Sequence, residues 1–236
     1  MMNTRLLLGI IGLFLFNSCS RSSCLEDRER ALFINPTFGY EIPIDSLQTL
    51  EDLVVLFDRV YCENISEDKW PILYFDTNKK EMVNPQVGKN ILAIGIEPAP
   101  CPSMMFEYDY SLILEVVKDG YNLEVEGQRV ELDSLASYVS KQYLNYGVNP
   151  LYSKDPQNNG IWLITNKDDK LINLNKHIAQ LIEGYVQMAH KYANIQFGKS
   201  LESLDDKEFK ELKNTLTFRL SFKFSDEPPR VINGLM

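Results

Sequence analysis

Cysteine and histidine are the residues of this sequence best suited to redox or metal chemistry, but their spacing favours neither. The four cysteines include no C-x-x-C pair, and the two histidines, His177 and His190, are thirteen residues apart. On the helix predicted for that segment, thirteen residues span about 20 Å, so the two imidazoles cannot share a ligand. A thiol redox site and a zinc site both lack their usual ligand set. We therefore expect no metal and no cofactor, and we interpret both histidines as surface or edge positions.

Paired carboxylates are a second candidate for chemistry, because two acids that face each other can divide acid and base roles. Asp168-Asp169 and Asp205-Asp206 are each adjacent in the chain, and adjacent side chains do not face each other. Asp205 and Asp206 instead fall in the first turn of a short predicted helix, where negative charge complements the helix dipole. The sequence also contains no nucleophile elbow, P-loop or dinucleotide fingerprint. We therefore expect a protein that is not an enzyme.

Cys19 is the residue that a sequence pattern does assign to covalent chemistry. Arg5 is followed by the apolar run 6–16, which would span about 16 Å as a helix, well short of a ~30 Å hydrocarbon core. A secretion signal is therefore favoured over a transmembrane helix. Phe16-Asn17-Ser18-Cys19 resembles a bacterial lipobox, in which a signal peptidase cuts before a cysteine that is then acylated. We predict a lipoprotein signal peptide at 1–18 and lipidation, including palmitate, of Cys19; the alternative is an ordinary signal peptide with an incidental cysteine.

Secretion would place the other cysteines in an oxidising compartment, where disulfides persist. We expect Cys62 and Cys101 to pair and Cys24 to stay free near the anchor; the open alternative is that these cysteines are unpaired and buried. The lipid at Cys19 would hold the protein on the cell envelope, facing the periplasm. Ser20 beside the anchor favours the outer membrane over the inner one by analogy. The formal net charge of -9 disfavours a nucleic-acid partner.

The periodicity of apolar residues predicts an α+β fold, a mixed sheet with helices packed on one face. In the main unit, 111–226, the predicted order is β-β-α-β-α-α-β. Asp119-Gly120 between two apolar segments is typical of a hairpin turn, and Gly198 follows the long helix where a left-handed residue is favoured. The predicted elements are strands 111–117 and 121–125, a helix from Asp133 or Ser134 to Leu144, strand 161–165, helices 173–197 and 203–213, and strand 216–224.

Residues 41–100 form a smaller α/β half, preceded by a tether at 19–40 and separated from the main unit by a Pro-rich break at 98–102. Residues 227–236 are a C-terminal tail. In each half a capped helix precedes an aromatic-rich strand, so a degenerate repeat is one hypothesis. The alternative is that such helix–strand units are simply common in α+β folds. The predicted elements of this half are strand 41–44, a helix from Asp45 or Ser46 to Tyr61, and strands 70–75 and 90–96.

The last predicted strand has one wholly apolar face. Strict alternation of apolar and polar residues over 216–224 indicates a half-buried strand. A strand with an unpaired edge invites pairing with a second chain. We therefore predict a homodimer formed through this strand. The residues of its apolar face are Leu216, Phe218, Leu220, Phe222 and Phe224.

Several motifs of the main unit, taken in order, resemble the periplasmic domain of the ExbD/TolR family of stator subunits. They are Lys118-Asp119-Gly120, then Gly127 leading into 130–135, strand 161–165 before a long helix, and Phe197-Gly198-Lys199 with the acidic segment after it. The resemblance covers about 111–224. It implies a domain that dimerises, often by exchange of the C-terminal strand, and contacts peptidoglycan or envelope transport proteins.

One departure from that family concerns proton coupling. Family members carry a membrane-spanning helix with a membrane-embedded Asp, and a carboxylate in the bilayer is what couples proton entry to movement. The apolar run 6–16 is too short to span and contains no acid. We therefore expect a non-enzymatic, lipid-anchored periplasmic interaction or scaffold protein, related to biopolymer-transport subunits but without their proton coupling. The alternative is a ligand-binding or hydrolytic envelope lipoprotein with a site between the two halves, near 101–110.

Overall fold

The computed structural model describes residues 25–33, 39–63, 70–97, 113–157 and 159–225. In these ranges the chain forms two mixed β-sheets with helices packed against them, which confirms the predicted α+β class. No helix there is long and apolar enough to cross a membrane. Several predicted features lie outside the described residues: the signal peptide 1–18, Cys19, Cys24, the Pro-rich break 98–102, Cys101, the proposed pocket region 101–110 and the tail 227–236.

The first sheet is built around β2 (Trp70–Asp76), which is buried along its whole length except at Trp70. It pairs in parallel with β1 (Gly39–Glu41) and antiparallel with β3 (Glu81–Val83) and β4 (Ile91–Gly95). The helix α2 (Leu50–Glu63) lies between β1 and β2 in the chain and buries its apolar stripe. The strands β2 and β4 lie where the sequence predicted them, and α2 starts later than predicted. The strand predicted at 41–44 lies instead at Gly39–Glu41, and β3 was not predicted.

The second sheet is formed by five strands: β5 (Ile113–Asp119), β6 (Asn122–Val125), β7 (Gln128–Arg129), β8 (Gly160–Thr165) and β9 (Leu220–Phe224). Their order is β7-β6-β5-β8-β9. The strands β5, β8 and β9 run parallel to one another, and β6 and β7 continue the sheet antiparallel.

The helices outside the first sheet are α1 (Asp27–Ala31), α3 (Leu135–Tyr143), α4 (Asn175–Phe197) and α5 (Asp206–Thr215). The helix α4 ends at Gly198, whose φ of 65° is the left-handed conformation expected there.

The three parallel strands present regular rows of apolar side chains to the core. Leu114, Ile161 and Leu220 are register partners in one row, and Val116, Leu163 and Phe222 form the next. All six are at most 5% exposed and belong to one cluster that also contains residues of α2, α3 and α4.

The helices α3 and α4 approach each other closely at Gly184. A Cβ at this position would lie 2.7 Å from the Ala136 Cα, so only glycine fits without a shift of backbone.

The two sheets are joined rather than separate. Ile96, just beyond β4, forms a parallel bridge with Leu220 of β9, and the Glu97 N–H donates to the Leu220 carbonyl at 2.9 Å. The Ser221 hydroxyl donates back to the Glu97 carbonyl at 2.9 Å. A second link lies at the start of α2, where the Leu50 N–H donates to the Asp169 carbonyl at 2.9 Å. The two halves therefore share one hydrophobic core.

The last strand differs from its prediction in two respects. It begins at Leu220 instead of position 216, because Leu216 still donates its N–H to Leu212 as the C-cap of α5. The prediction of a half-buried strand is also wrong, because Ser221 and Lys223 on the polar face are only 4% and 8% exposed. The apolar face is buried in the chain's own core. Pairing of this strand with a second copy stays a prediction.

Candidate functional site

The best candidate site lies at the carboxyl ends of β5 and β8. Lys118 is the next-to-last residue of β5 and Thr165 is the last residue of β8. Because the two strands are parallel and Val117 is in register with Ile164, both side chains reach the same edge of the sheet. In sheets with parallel strands, ligand sites commonly lie at this edge.

A buried ion pair closes this end of the core. Lys118 Nζ donates to Asp169 Oδ2 at 2.7 Å, and the two side chains are only 6% and 18% exposed. The Thr165 hydroxyl donates to the same carboxylate oxygen. Asp169 is brought there by the turn after β8, in which its own N–H donates to the Asn166 carbonyl at 3.0 Å. The turn therefore places the Asp169 carboxylate beside Thr165, at the carboxyl end of β8.

Two opposed effects set the pKa of Asp169. Burial raises it, while hydrogen bonds from Lys118 and Thr165 and the Lys118 charge lower it, and the net direction is downward. The carboxylate is therefore ionised at neutral pH and matches the positive charge of Lys118. The pair holds an ammonium group in an otherwise apolar layer.

His177, in the first turn of α4, adds a neutral imidazole to this region. It is 4% exposed, so the interpretation of this residue as a surface or edge position is wrong. Its Nδ1 lies 3.2 Å from the Asn173 carbonyl. Burial lowers its pKa to about 4, helped by the positive charges of Lys176 and Lys118. At pH 7 this imidazole carries no charge.

An open groove of about 890 Å³ lies outside the ion pair, between the two halves of the chain. We call it the lysine groove, because four lysines line it against two carboxylates. The Met82 N–H of β3 donates to Asn175 Oδ1 at 3.0 Å, which fixes the first half against the start of α4. The charged lining residues are Lys79, Lys80, Lys118, Lys176, Glu81 and Asp169, and the amide-bearing ones are Asn173, Asn175 and Gln180.

The lysine groove has the chemistry of a binding site. Thr165 is 0% exposed and its hydroxyl is engaged with Asp169, so it offers no accessible nucleophile. Lys118 is engaged with the same carboxylate. Lys80 and Lys176 are exposed, and within the described ranges neither forms an ion pair. Their ammonium groups and the N-terminal turn of α4 can bind an anionic group, since both present positive charge.

Sequence reasoning did not identify this site. From the sequence, 118–120 was predicted as a turn, and Asp168 and Asp169 were interpreted as adjacent carboxylates that do not face each other. The sequence does place polar residues at the carboxyl ends of two apolar strands. This pattern predicts a shared site only once the two strands are known to be parallel.

The structure describes some of the site residues predicted from the sequence and leaves others outside the described ranges. Cys62 is disulfide-bonded, and its partner lies outside the described residues, so pairing with Cys101 stays a prediction. Lipidation of Cys19 stays a prediction for the same reason. The apolar residues of the last strand are together in the core, and only Phe224 at its end is partly exposed.

A second polar cluster lies apart from the groove. Glu29, His190 and Glu202 bring ligand-type atoms within 4.8 Å of one another. This cluster was not predicted from the sequence, because Glu29 lies 161 residues from His190 in the chain.

Comparison of the chain with protein-family models, with curated proteins and with solved structures found no match. The functional conclusions therefore depend on the residues and the geometry alone.

Proposed function

We propose that the protein is a lipid-anchored component of the bacterial cell envelope that faces the periplasm and acts as an interaction or scaffold module. The observation that carries the anchor is the lipobox-like 16–19 after a short apolar run. Two or more acyl chains on Cys19 would anchor the protein stably, whereas a single chain would be marginal. A binding role rather than catalysis is supported by the polar strand-end cluster, in which Thr165 is inaccessible.

The anchor is tested by growing cells that express the protein with a palmitate analogue. We expect labelling of the wild type and of Cys24→Ala, the matched control, and none of Cys19→Ala. Labelling that survives Cys19→Ala, or an unlabelled wild type, would show that the protein is not anchored in this way.

The relation to the ExbD/TolR periplasmic domain is part of the same proposal. It is supported by the element order of 113–224 and by where the resembling motifs fall. Gly120 forms the β5–β6 turn with a φ of 57°, and Gly198 caps α4. Lys199 Nζ donates to Glu208 at 2.6 Å, which links the segment after α4 to α5.

A degenerate repeat is supported by the connections within each half. The strands β1 and β2 pair in parallel across α2, and β5 and β8 pair in parallel with α3 between them in the chain. Both halves thus contain a parallel strand–helix–strand unit, although this is the usual way to join parallel strands.

The scaffold role predicts association with a second copy and with the cell wall. Light scattering on the full chain should give the mass of a dimer, and a monomer at all concentrations would contradict it. Cosedimentation with purified peptidoglycan, compared with a pull-down for envelope proteins, would identify the partner class. Failure in both assays would leave the scaffold proposal without a partner and would favour the second candidate.

The second candidate is a ligand-binding envelope lipoprotein, and the lysine groove is the observation that favours it. Its volume of about 890 Å³ is in the range of small-molecule sites. Four lysines in one groove are unexpected in a chain whose net charge is -9. The complementary ligand is a small molecule with carboxylate or phosphate groups, because ammonium groups bind these.

Calorimetric titration with citrate and with pyrophosphate tests this candidate. We expect binding that weakens about tenfold in Lys80→Gln/Lys176→Gln and is screened by salt. Lys207→Gln/Lys210→Gln, on the exposed face of α5, is the matched control and should bind like the wild type. Equal binding by all three proteins would exclude the groove as the site.

A further inference from the structure

Glu29, His190 and Glu202 form a compact cluster at the junction of three elements. His190 Nε2 lies 2.8 Å from Glu29 Oε1 and 3.8 Å from Glu202 Oε1. Glu29 belongs to α1, His190 to α4, and Glu202 to the 3-10 turn Leu201–Ser203. Glu29 and His190 are 161 residues apart in the chain, so only the fold brings them together.

The donor set is one that a divalent first-row metal ion binds. One imidazole nitrogen and two carboxylate oxygens are borderline and hard ligands of the kind found in zinc sites. With metal–ligand distances of about 2.0–2.2 Å, ligand atoms in a tetrahedral site lie about 3.3 Å apart. The two separations from His190 lie on either side of this value, so each needs to change by about 0.5 Å. The ligand oxygens of the two glutamates lie within 4.8 Å of each other. Glu202 is 37% exposed at its side chain and has room to make that movement.

The carboxylate of Glu29 is already oriented for such a site. Its Oε2 accepts the N–H of Glu26 at 2.8 Å in the capping box of α1, which leaves Oε1 directed at His190. A hydrogen bond of this type holds a ligating carboxylate in place and maintains its charge. The side chain of Glu29 is only 10% exposed, so the oxygen that faces His190 lies in a largely desolvated position. A doubly charged cation would match the two carboxylates.

The helix α1 is held to the same region by other contacts, so it stays in position without a metal. Arg28 donates to the Leu204 carbonyl and to Asp206, and its guanidinium lies 4.6 Å from the centre of the Phe209 ring. Phe33, just after α1, packs edge-on against Tyr185 with ring centres 5.5 Å apart. The cluster is therefore assembled before an ion arrives, which lowers the entropic cost of binding.

We propose that Glu29, His190 and Glu202 bind a divalent transition-metal ion of the zinc class. The ion fastens α1, which lies within the segment 19–40 predicted as a tether, to α4 and to the turn after it. A fourth position is left for water, since the described residues supply three ligands. The sequence led us to expect no metal, because His177 and His190 are thirteen residues apart and cannot share an ion. That expectation did not consider glutamates that the fold brings to one of the histidines.

The test is calorimetric titration of Zn²⁺ into the full chain, purified without a histidine tag and stripped of metal with EDTA. We expect one Zn²⁺ per chain, a weakening of at least about tenfold in Glu202→Gln, and loss of binding in His190→Gln. Glu211→Gln, an exposed acid on α5, is the matched control and should bind like the wild type. Because Glu202 is exposed, its variant should fold normally, as checked by circular dichroism.

A second readout reports on the geometry and the position of α1. Cobalt(II) bound at the site should give the visible absorption of a four- or five-coordinate ion, and it should disappear in His190→Gln. Zn²⁺ should also slow amide hydrogen exchange in α1. Titration without binding, or equal binding by Glu202→Gln and the wild type, would show that His190 and Glu29 form an ordinary hydrogen-bonded pair.

Discussion

Lys118 Nζ lies 2.7 Å from Asp169 Oδ2, and this contact joins the end of β5 to the turn that leads into α4. Both side chains line the lysine groove. Lys118 follows Leu114 and Val116 on the buried face of β5, so it extends an apolar row of the sheet. An ammonium group in such a row is tolerated only while its counter-charge is present. The pair therefore links the stability of the main unit to the shape of the groove.

Asp169→Asn should lower the free energy of unfolding by about 2 kcal/mol. The substitution leaves the charge of Lys118 buried and unmatched, and the cost stays below that of a fully buried pair because Asp169 is 18% exposed. Urea unfolding measures the change. Asp168→Asn, the exposed neighbour, should stay within about 0.5 kcal/mol; equal costs for the two variants would contradict a special role for the pair.

His177 should make stability depend on pH in the mildly acidic range. Its pKa falls from 6.5 in the unfolded chain to about 4 in the fold, so between these values the unfolded state binds more protons. Stability is then complete above about pH 6.5 and falls as the pH decreases toward 4, by at most about 3 kcal/mol. Urea unfolding at a series of pH values measures the slope, and His177→Gln should flatten it. An unchanged slope in that variant would assign the effect to other groups.

Gly184→Ala should destabilise the protein even though alanine favours helices. The added Cβ would lie 2.7 Å from the Ala136 Cα and 2.9 Å from the Ala136 carbonyl oxygen, so α3 and α4 must separate. Overpacking of this kind costs about 1–3 kcal/mol, against a gain of at most about 1 kcal/mol in helix propensity. The midpoint of thermal unfolding reports the net loss. Glu183→Ala, on the exposed side of α4, is the control, and a stabilised Gly184→Ala would show that the helices can move apart freely.

Deletion of the chain after Asn214 should abolish folding. It removes four large apolar side chains that are at most 8% exposed: Leu216, Phe218, Leu220 and Phe222. At about 1.5–3 kcal/mol for each buried side chain, the loss approaches the whole stability of a typical domain. Circular dichroism and thermal unfolding measure the outcome. A truncated protein that still unfolds cooperatively would contradict the contribution we assign to β9.

Local elements were predictable from the sequence where apolar residues recur at a regular spacing and a glycine or turn motif marks the end of the segment. The long helix was predicted at 173–197 and is found at Asn175–Phe197, because an apolar stripe at steps of three and four ends at a glycine. The turn at Asp119-Gly120 was predictable for a similar reason. The last strand was placed too early, because the alternation of residues begins at 216 while the end of α5 still holds Leu216.

The site could not be predicted because it depends on pairing between distant segments. The residues of 113–119 and 160–165 do not indicate that these two strands pair in parallel. Periodicity within one segment does not specify its pairing partner or its register. From the sequence, Lys118 was therefore placed beside a hairpin turn and Asp169 in a pair of adjacent acids. Their contact arises only when the strand ends meet. The same holds for Glu29 and His190, whose separation in the chain hides their proximity.

The bridge between Ile96 and Leu220 also has a consequence for how the protein is made. The strand β9 is synthesised after the whole of the first half, yet Glu97, at the end of that half, depends on it for a backbone hydrogen bond. The first half therefore cannot complete its native contacts while the second is still being synthesised. We expect the first half to reach its final packing only once β9 has been synthesised and has paired beside it.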